Sequence, residues 1–118
     1  EAAPMAPELA QLLEQAGYRG IGGKLRVPLT AIVDGTPLNS RLFIDGFAKK
    51  DGKLYVVRLA RDRMPVEWTG PGVRDHFLHY ALLYDQAEGL LYVNEREQSV
   101  TEIRFEFPHP DGKEDGMR

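Results

Sequence analysis

The sequence predicts an α+β domain in which helices pack on one mixed sheet, with elements in the order α-β-β-β-α-β-β. Three observations carry this. Apolar residues alternate with period two from Leu25 to Val33, and two strand-like segments meet at Asp51-Gly52. The segment from Val73 to Tyr84 then carries apolar side chains at helical spacing, followed by two further strand-like runs.

The elements follow in turn. "PELAQLLEQAG" places Pro7 at an N-terminal helical position and Glu8 in the first turn, with Leu9, Leu12, Leu13 and Ala16 as an apolar stripe. Gly17 is the natural stop, and "YRGIGG" reads as a glycine-rich connector. In "KLRVPLTAIV", Leu25, Val27, Leu29, Ala31 and Val33 predict one buried face, with Pro28 placing the strand at an edge or beside a bulge. "DGTP" is a turn, and "SRLFIDGF" and "KLYVVRLAR" are the second and third strands, joined as a hairpin. "DRMPVEWTGPG" forms a loop holding the only tryptophan, Trp68. The helix "VRDHFLHYALLYDQ" follows, its stripe of Val73, Phe77, Tyr80, Ala81 and Tyr84 widened by Leu78 and Leu82, as suits packing on a sheet. "GLLYVN" and "VTEIRFEF" close the order as a hairpin around "EREQ". We expect residues 1–6 to be a flexible lead, 7–107 the single domain, and the polar, turn-rich 108–118 a disordered tail.

A length of 118 residues suits one domain with its own core. A net charge of −3 and a pI near 5.6 exclude a wholesale basic nucleic-acid binder, though not a local patch. The absence of cysteine excludes disulfides, thiolate chemistry and cysteine-based zinc or iron–sulfur sites, and fits a reducing, cytoplasmic setting. No apolar run approaches the ~18–20 residues that span a bilayer. The chain begins at Glu1 rather than Met, so we expect a processed or truncated product whose leader, or membrane tether, preceded it.

The element order, the "AGY" ending of the first helix, the aspartate in "FIDGF" and the strand "KLYVVRLARDR" together resemble the PD-(D/E)XK superfamily. These are restriction-endonuclease-like nucleases, Holliday-junction-resolvase-like members included. The likeness runs from about Pro7 to about Phe107. It implies a minimal restriction-endonuclease-like core. It also implies a catalytic set of Asp and Glu holding Mg²⁺ or Mn²⁺, with a Lys that positions the attacking water. Asp45 matches the first acid, but Arg58 stands where the Glu should be and Ala60 where the Lys should be. The implied site is therefore degenerate, with no metal expected unless the domain is active. Glu8 or Glu14 on the first helix, or Asp62, Glu67 or Asp34, would be the replacement acids in an active form.

Hairpin counting sharpens this. A two-residue turn at Asp51-Gly52 pairs Lys50 with Lys53 and so sets Asp45 opposite Arg58 on one face, in reach of a charge-assisted pair. A one-residue slip would separate them.

His76 and His79 share a side of the second helix and with Asp75 form a partial zinc or copper set, or else flank the apolar stripe. His109 lies in the tail. Lys49, Lys50, Lys53, Arg61 and Arg63 concentrate positive charge, to which Arg19, Lys24 and Arg26 add if the fold allows; they suit phosphate contact, or a solvated turn. Trp68 is a recognition aromatic or a plug on the sheet. "GIGG" lacks the context of a phosphate loop, and Ser40 and Ser99 lack any activating motif. The leading expectation is a degenerate nuclease-like module that binds nucleic acid or a protein. An active Mg²⁺- or Mn²⁺-dependent DNA endonuclease with migrated ligands is one alternative. The other is an α+β interaction domain of a longer, membrane-anchored chain.

Overall fold

A computed structural model describes residues 3–108. In chain order the elements are α1 (Pro7–Gln15), β1 (Arg19–Gly22), β2 (Leu25–Val33), β3 (Thr36–Ile44), β4 (Gly46–Lys50), β5 (Lys53–Leu59), α2 (Gly70–Leu83), β6 (Gly89–Asn94) and β7 (Ser99–Ile103). The α+β class stands. A five-stranded mixed sheet runs β1-β4-β5-β6-β7, and β2 and β3 form a separate two-stranded sheet.

Leu9, Leu12 and Leu13 of α1 are buried as their spacing predicts. The helix stops at Gly17, whose φ of 97° is open to glycine, while Gly17 and Tyr18 donate back to the Glu14 and Leu13 carbonyls. The segment from Arg19 to Gly22, expected as connector, is strand β1, antiparallel to β4 with a register break between Gly20 and Gly22. It carries no alternating signature because its glycines leave room for another segment: a side chain at Gly20 would meet Met5. Within the segment expected as a flexible lead, Ala3 exchanges two backbone hydrogen bonds with Gly23 and Lys24, and Met5 packs on the core.

β4 and β5 are antiparallel with Lys50 opposite Lys53, the register counted from the turn. α2 carries the chain across to β6, which lies parallel to β5 with Tyr92 beside Arg58, and β7 returns antiparallel from Asn94–Ser99. Side chains alternate between two cores. α1 packs with Ala48, Tyr55, Val57, Leu91 and Val93 on one face. Phe77 and Tyr80 of α2 pack with Val56, Leu90, Tyr92 and Ile103 on the other.

Several expectations need correction. Leu25 to Val33 do share a face of β2, but it is not buried along its length. Leu25, Val27 and Leu42 pack on the α2-side core, whereas Leu29, Val33 and Leu38 are about half exposed, at 48%, 51% and 53%. Periodicity reports a common face, not what covers it. The ribbon closes through Asp34 and Gly35, both at positive φ as a two-residue primed turn requires. It stands off the body, and the radius of gyration of 16.1 Å exceeds the ~13 Å of a compact chain of this size.

"SRLFIDGF", expected as one strand, is divided at Asp45 between β3 and β4. α2 starts at Gly70, three residues before the expected Val73, because the Thr69 side chain accepts a hydrogen bond from Gly72 N–H at 3.1 Å and Pro71 suits a first turn. Its wider stripe is not covered either, since Leu82 remains 61% exposed.

The last strand ends at Ile103, short of "RFEF", though Phe105 still packs on the α2-side core. His109 and all of the expected tail beyond Pro108 lie outside the described residues. No helix among the described residues is long and apolar enough to cross a membrane.

Candidate functional site

The register that pairs Gly46 with Val57 places Asp45 one step further along, at the break where β3 hands over to β4. Asp45 is 3% exposed and Arg58 9%. Arg58 Nη1 donates to Asp45 Oδ2 at 2.9 Å and to the Phe43 carbonyl at 2.8 Å. The opposition read from the turn is thus a buried ion pair.

Arg61 then completes what the sequence did not anticipate. Its Nη2 donates to Asp45 Oδ1 at 2.7 Å and its Nη1 to Oδ2 at 3.2 Å, a two-pronged clasp on the same carboxylate. Leu59 N–H is the fourth donor to the carboxylate, reaching Oδ2 at 2.8 Å. Arg61 also donates to the Leu59 carbonyl at 2.9 Å, which holds its side chain back over the strand end. One carboxylate is held between two guanidiniums, and the centre is net positive.

Aromatic side chains wall the pair in. The Arg58 guanidinium lies 4.9 Å from the centre of the Tyr80 ring, so stacking meets part of the charge, while its Nε is buried without a hydrogen-bond partner among the described residues. His76 packs against Phe77 and Tyr92, with ring centres 4.6 and 5.9 Å apart. Partial burial, and then the positive charge of Arg58, hold both His76 and His79 below the ordinary imidazole pKa; for His79 the charge of His76 adds to this. Among the described residues no group of three acid or histidine side chains converges as a metal set.

The replacement acids lie elsewhere. Glu8 and Glu14 ride on α1, across the sheet from Asp45. Asp62 pairs with Arg96, and Asp34 sits in the ribbon turn. Glu67 lies in the loop before α2, its backbone pressed close to Gly72. Ala60, on the motif's third position, is tied to the neighbouring strand through its N–H to the Val93 carbonyl at 2.7 Å.

The predicted basic patch is divided. Lys49, Lys50 and Lys53 lie at one end of β5, and Arg61 and Arg63 past the other, separated by roughly 20 Å of extended strand. Arg19, paired in register with Lys49, joins the first group. There Lys50 lies over the Tyr18 ring at 4.9 Å and Lys53 faces Glu88 at 4.0 Å. Lys24 and Arg26 join Arg61 instead. With Leu25, Phe43, Ile44 and Asp45 they line a groove of about 390 Å³ above the carboxylate. Neither Lys24 nor Arg26 is ion-paired among the described residues. The groove therefore presents Lys24, Arg26 and the outer side of Arg61, an arrangement suited to an anion.

Neither the protein-family models nor the curated proteins contain a significant match to this chain.

Two outcomes follow from this geometry. Asp45→Ala leaves Arg58 charged and buried without its carboxylate, and should destabilise the fold by ~3 kcal/mol or more. Arg61→Ala, whose side chain is 42% exposed, leaves Asp45 paired with Arg58 and Leu59 N–H and should cost far less. Chemical denaturation of the two variants checks this; equal losses would show that Arg58 and Leu59 N–H do not hold Asp45 without Arg61.

The histidines set a pH dependence. Their folded-state pKa values lie below the unfolded ~6.5, so the unfolded chain binds more protons as acid is added. The contribution is whole above that value and lost as pH falls through it. The denaturation midpoint should drop between about pH 7.5 and 5.5, and the drop should shrink in a His76→Asn, His79→Asn double variant.

Proposed function

We propose that this domain is a catalytically degenerate, PD-(D/E)XK-like module that binds the phosphate backbone of nucleic acid without cleaving it. The observation that carries the reading is the double clasp on Asp45. The resemblance assigns that carboxylate to a metal ion, yet its oxygens here receive four N–H donors, three of them from Arg58 and Arg61. A divalent cation would have to displace both guanidiniums or bind beside them, so the residues present do not fit Mg²⁺ or Mn²⁺. A phosphate group meets the opposite situation: positive charge from Lys24, Arg26 and Arg61 at the mouth of the same groove.

The fold supports the resemblance in outline. The β4–β5 hairpin, the α2 crossover and the parallel β6 bring Asp45, Arg58 and Ala60 to the end of the sheet where α2 begins. The half-exposed apolar residues of the β2–β3 ribbon favour a second reading, in which the partner is a protein.

Anisotropy titrations of labelled oligonucleotides over a range of salt test the first reading. Binding should weaken steeply with salt, and Lys24→Ala with Arg26→Ala should lower affinity and reduce the salt slope by about two. Binding indifferent to salt, or none even at low ionic strength, would leave the protein-partner reading in its place.

Calorimetric titration of Mn²⁺ tests the vanished metal site. Wild type should give no saturable binding beyond that of Asp45→Asn. Arg58→Glu with Ala60→Lys still leaves Arg61 on the carboxylate, so affinity should rise appreciably only when Arg61→Ala is added. A folded triple variant that gains none would count against the superfamily placement.

A further inference from the structure

We propose that Trp68 forms a nucleobase-stacking subsite beside the cationic groove, and that the ligand is therefore single-stranded nucleic acid. This rests on the phosphate-binding reading above and adds the class of strand.

Trp68 is 55% exposed, far more than a side chain that only plugs the sheet. It is nonetheless supported from behind. Tyr92 meets its ring edge-on with centres 5.8 Å apart, and Phe77 lies tilted beneath it at 6.3 Å. The loop that carries it is short of freedom. Thr69 N–H bonds to the Glu67 carbonyl at 2.9 Å, Thr69 caps α2, and a side chain at Gly72 would collide with the Glu67 backbone. An indole fixed on one side and open on the other loses little entropy when a flat ring settles on it.

The surroundings suit a base and not a phosphate. Trp68 lines a cavity of about 410 Å³ with Asn94, Ser99 and Thr101, whose amide and hydroxyl groups both donate and accept, as the edges of a base require. Glu97 also lines it and repels phosphate, while Asp62, on the same lining, is paired with Arg96. The positive charge lies next door, and Arg61 borders both spaces. A nucleotide is divided in the same way, with a planar uncharged ring at one end and an anionic group at the other. Ring-on-ring stacking needs a base free of its neighbours, which a single strand offers and an intact duplex does not.

Trp68 is the only tryptophan, so its emission reports this site without a label. Wild-type protein is titrated with an oligothymidylate and with a hairpin duplex of matched charge. The single strand should change the emission saturably and bind more tightly than the duplex. Trp68→Ala should weaken the single strand about tenfold and leave the salt slope unaltered, with Trp68→Phe recovering part of the loss. Salt-dependent binding of both ligands alike, with emission unchanged, overturns the stacking subsite and leaves the phosphate-binding reading intact. Binding of neither at low salt overturns both. The wild-type emission decides between these even if the alanine variant folds poorly.

Discussion

The contact on which the rest of this site depends is the burial of Asp45 against Arg58. A carboxylate and a guanidinium withdrawn from water are tolerable only together, and only with their remaining donors and acceptors met. The surrounding structure supplies those partners. Phe43 gives a carbonyl to Arg58, Leu59 gives an N–H to Asp45, Tyr80 gives a ring face, and Arg61 closes the second carboxylate oxygen. The break between β3 and β4 lies at Asp45 itself, where the backbone leaves the ribbon and enters the sheet. The pair thus joins the ribbon's root to the sheet.

Having two arginines for one carboxylate decides the electrostatic character of the groove. A lone Asp45–Arg58 pair would be neutral. Arg61 tips it positive, and Lys24 and Arg26 extend that sign outward. The chain as a whole is acidic, so this end of the sheet differs from the average surface. An aromatic wall of Trp68, His76, Tyr80 and Tyr92 stands beside it, on side chains of α2, β6 and the loop between β5 and α2.

What the sequence disclosed follows from which rules act over short range. The opposition of Asp45 and Arg58 was legible because a primed turn at Asp51-Gly52 fixes register by counting. The faces of α1, the α2 stripe and the last hairpin were legible from period and punctuation. Arg61 was not, because it lies beyond the last residue of β5, where no periodicity places a side chain. The joining of Lys24 and Arg26 to Arg61 depends on how the ribbon leaves the body, a long-range matter. β1 was hidden by glycines that serve a close approach of the N-terminal segment. The apolar alternation of β2 marks a shared face, and only its Leu25–Val27 end is covered.

The parallel pairing of β5 with β6 sets the order in which this surface can come into being. Every other strand pair except β1–β4 joins neighbours in sequence through a short turn, and such hairpins form within microseconds. Tyr55 and Gly89, in contrast, must meet across the whole of α2 and its flanking loops. Contacts of that separation repay their loop-closure entropy late. Arg58 comes from the first side of this join, and Tyr80 and Tyr92 from α2 and the far side. Until it closes, a nascent chain can hold its hairpins, and even Asp45 against Arg58, without yet possessing the aromatic wall that encloses the pair.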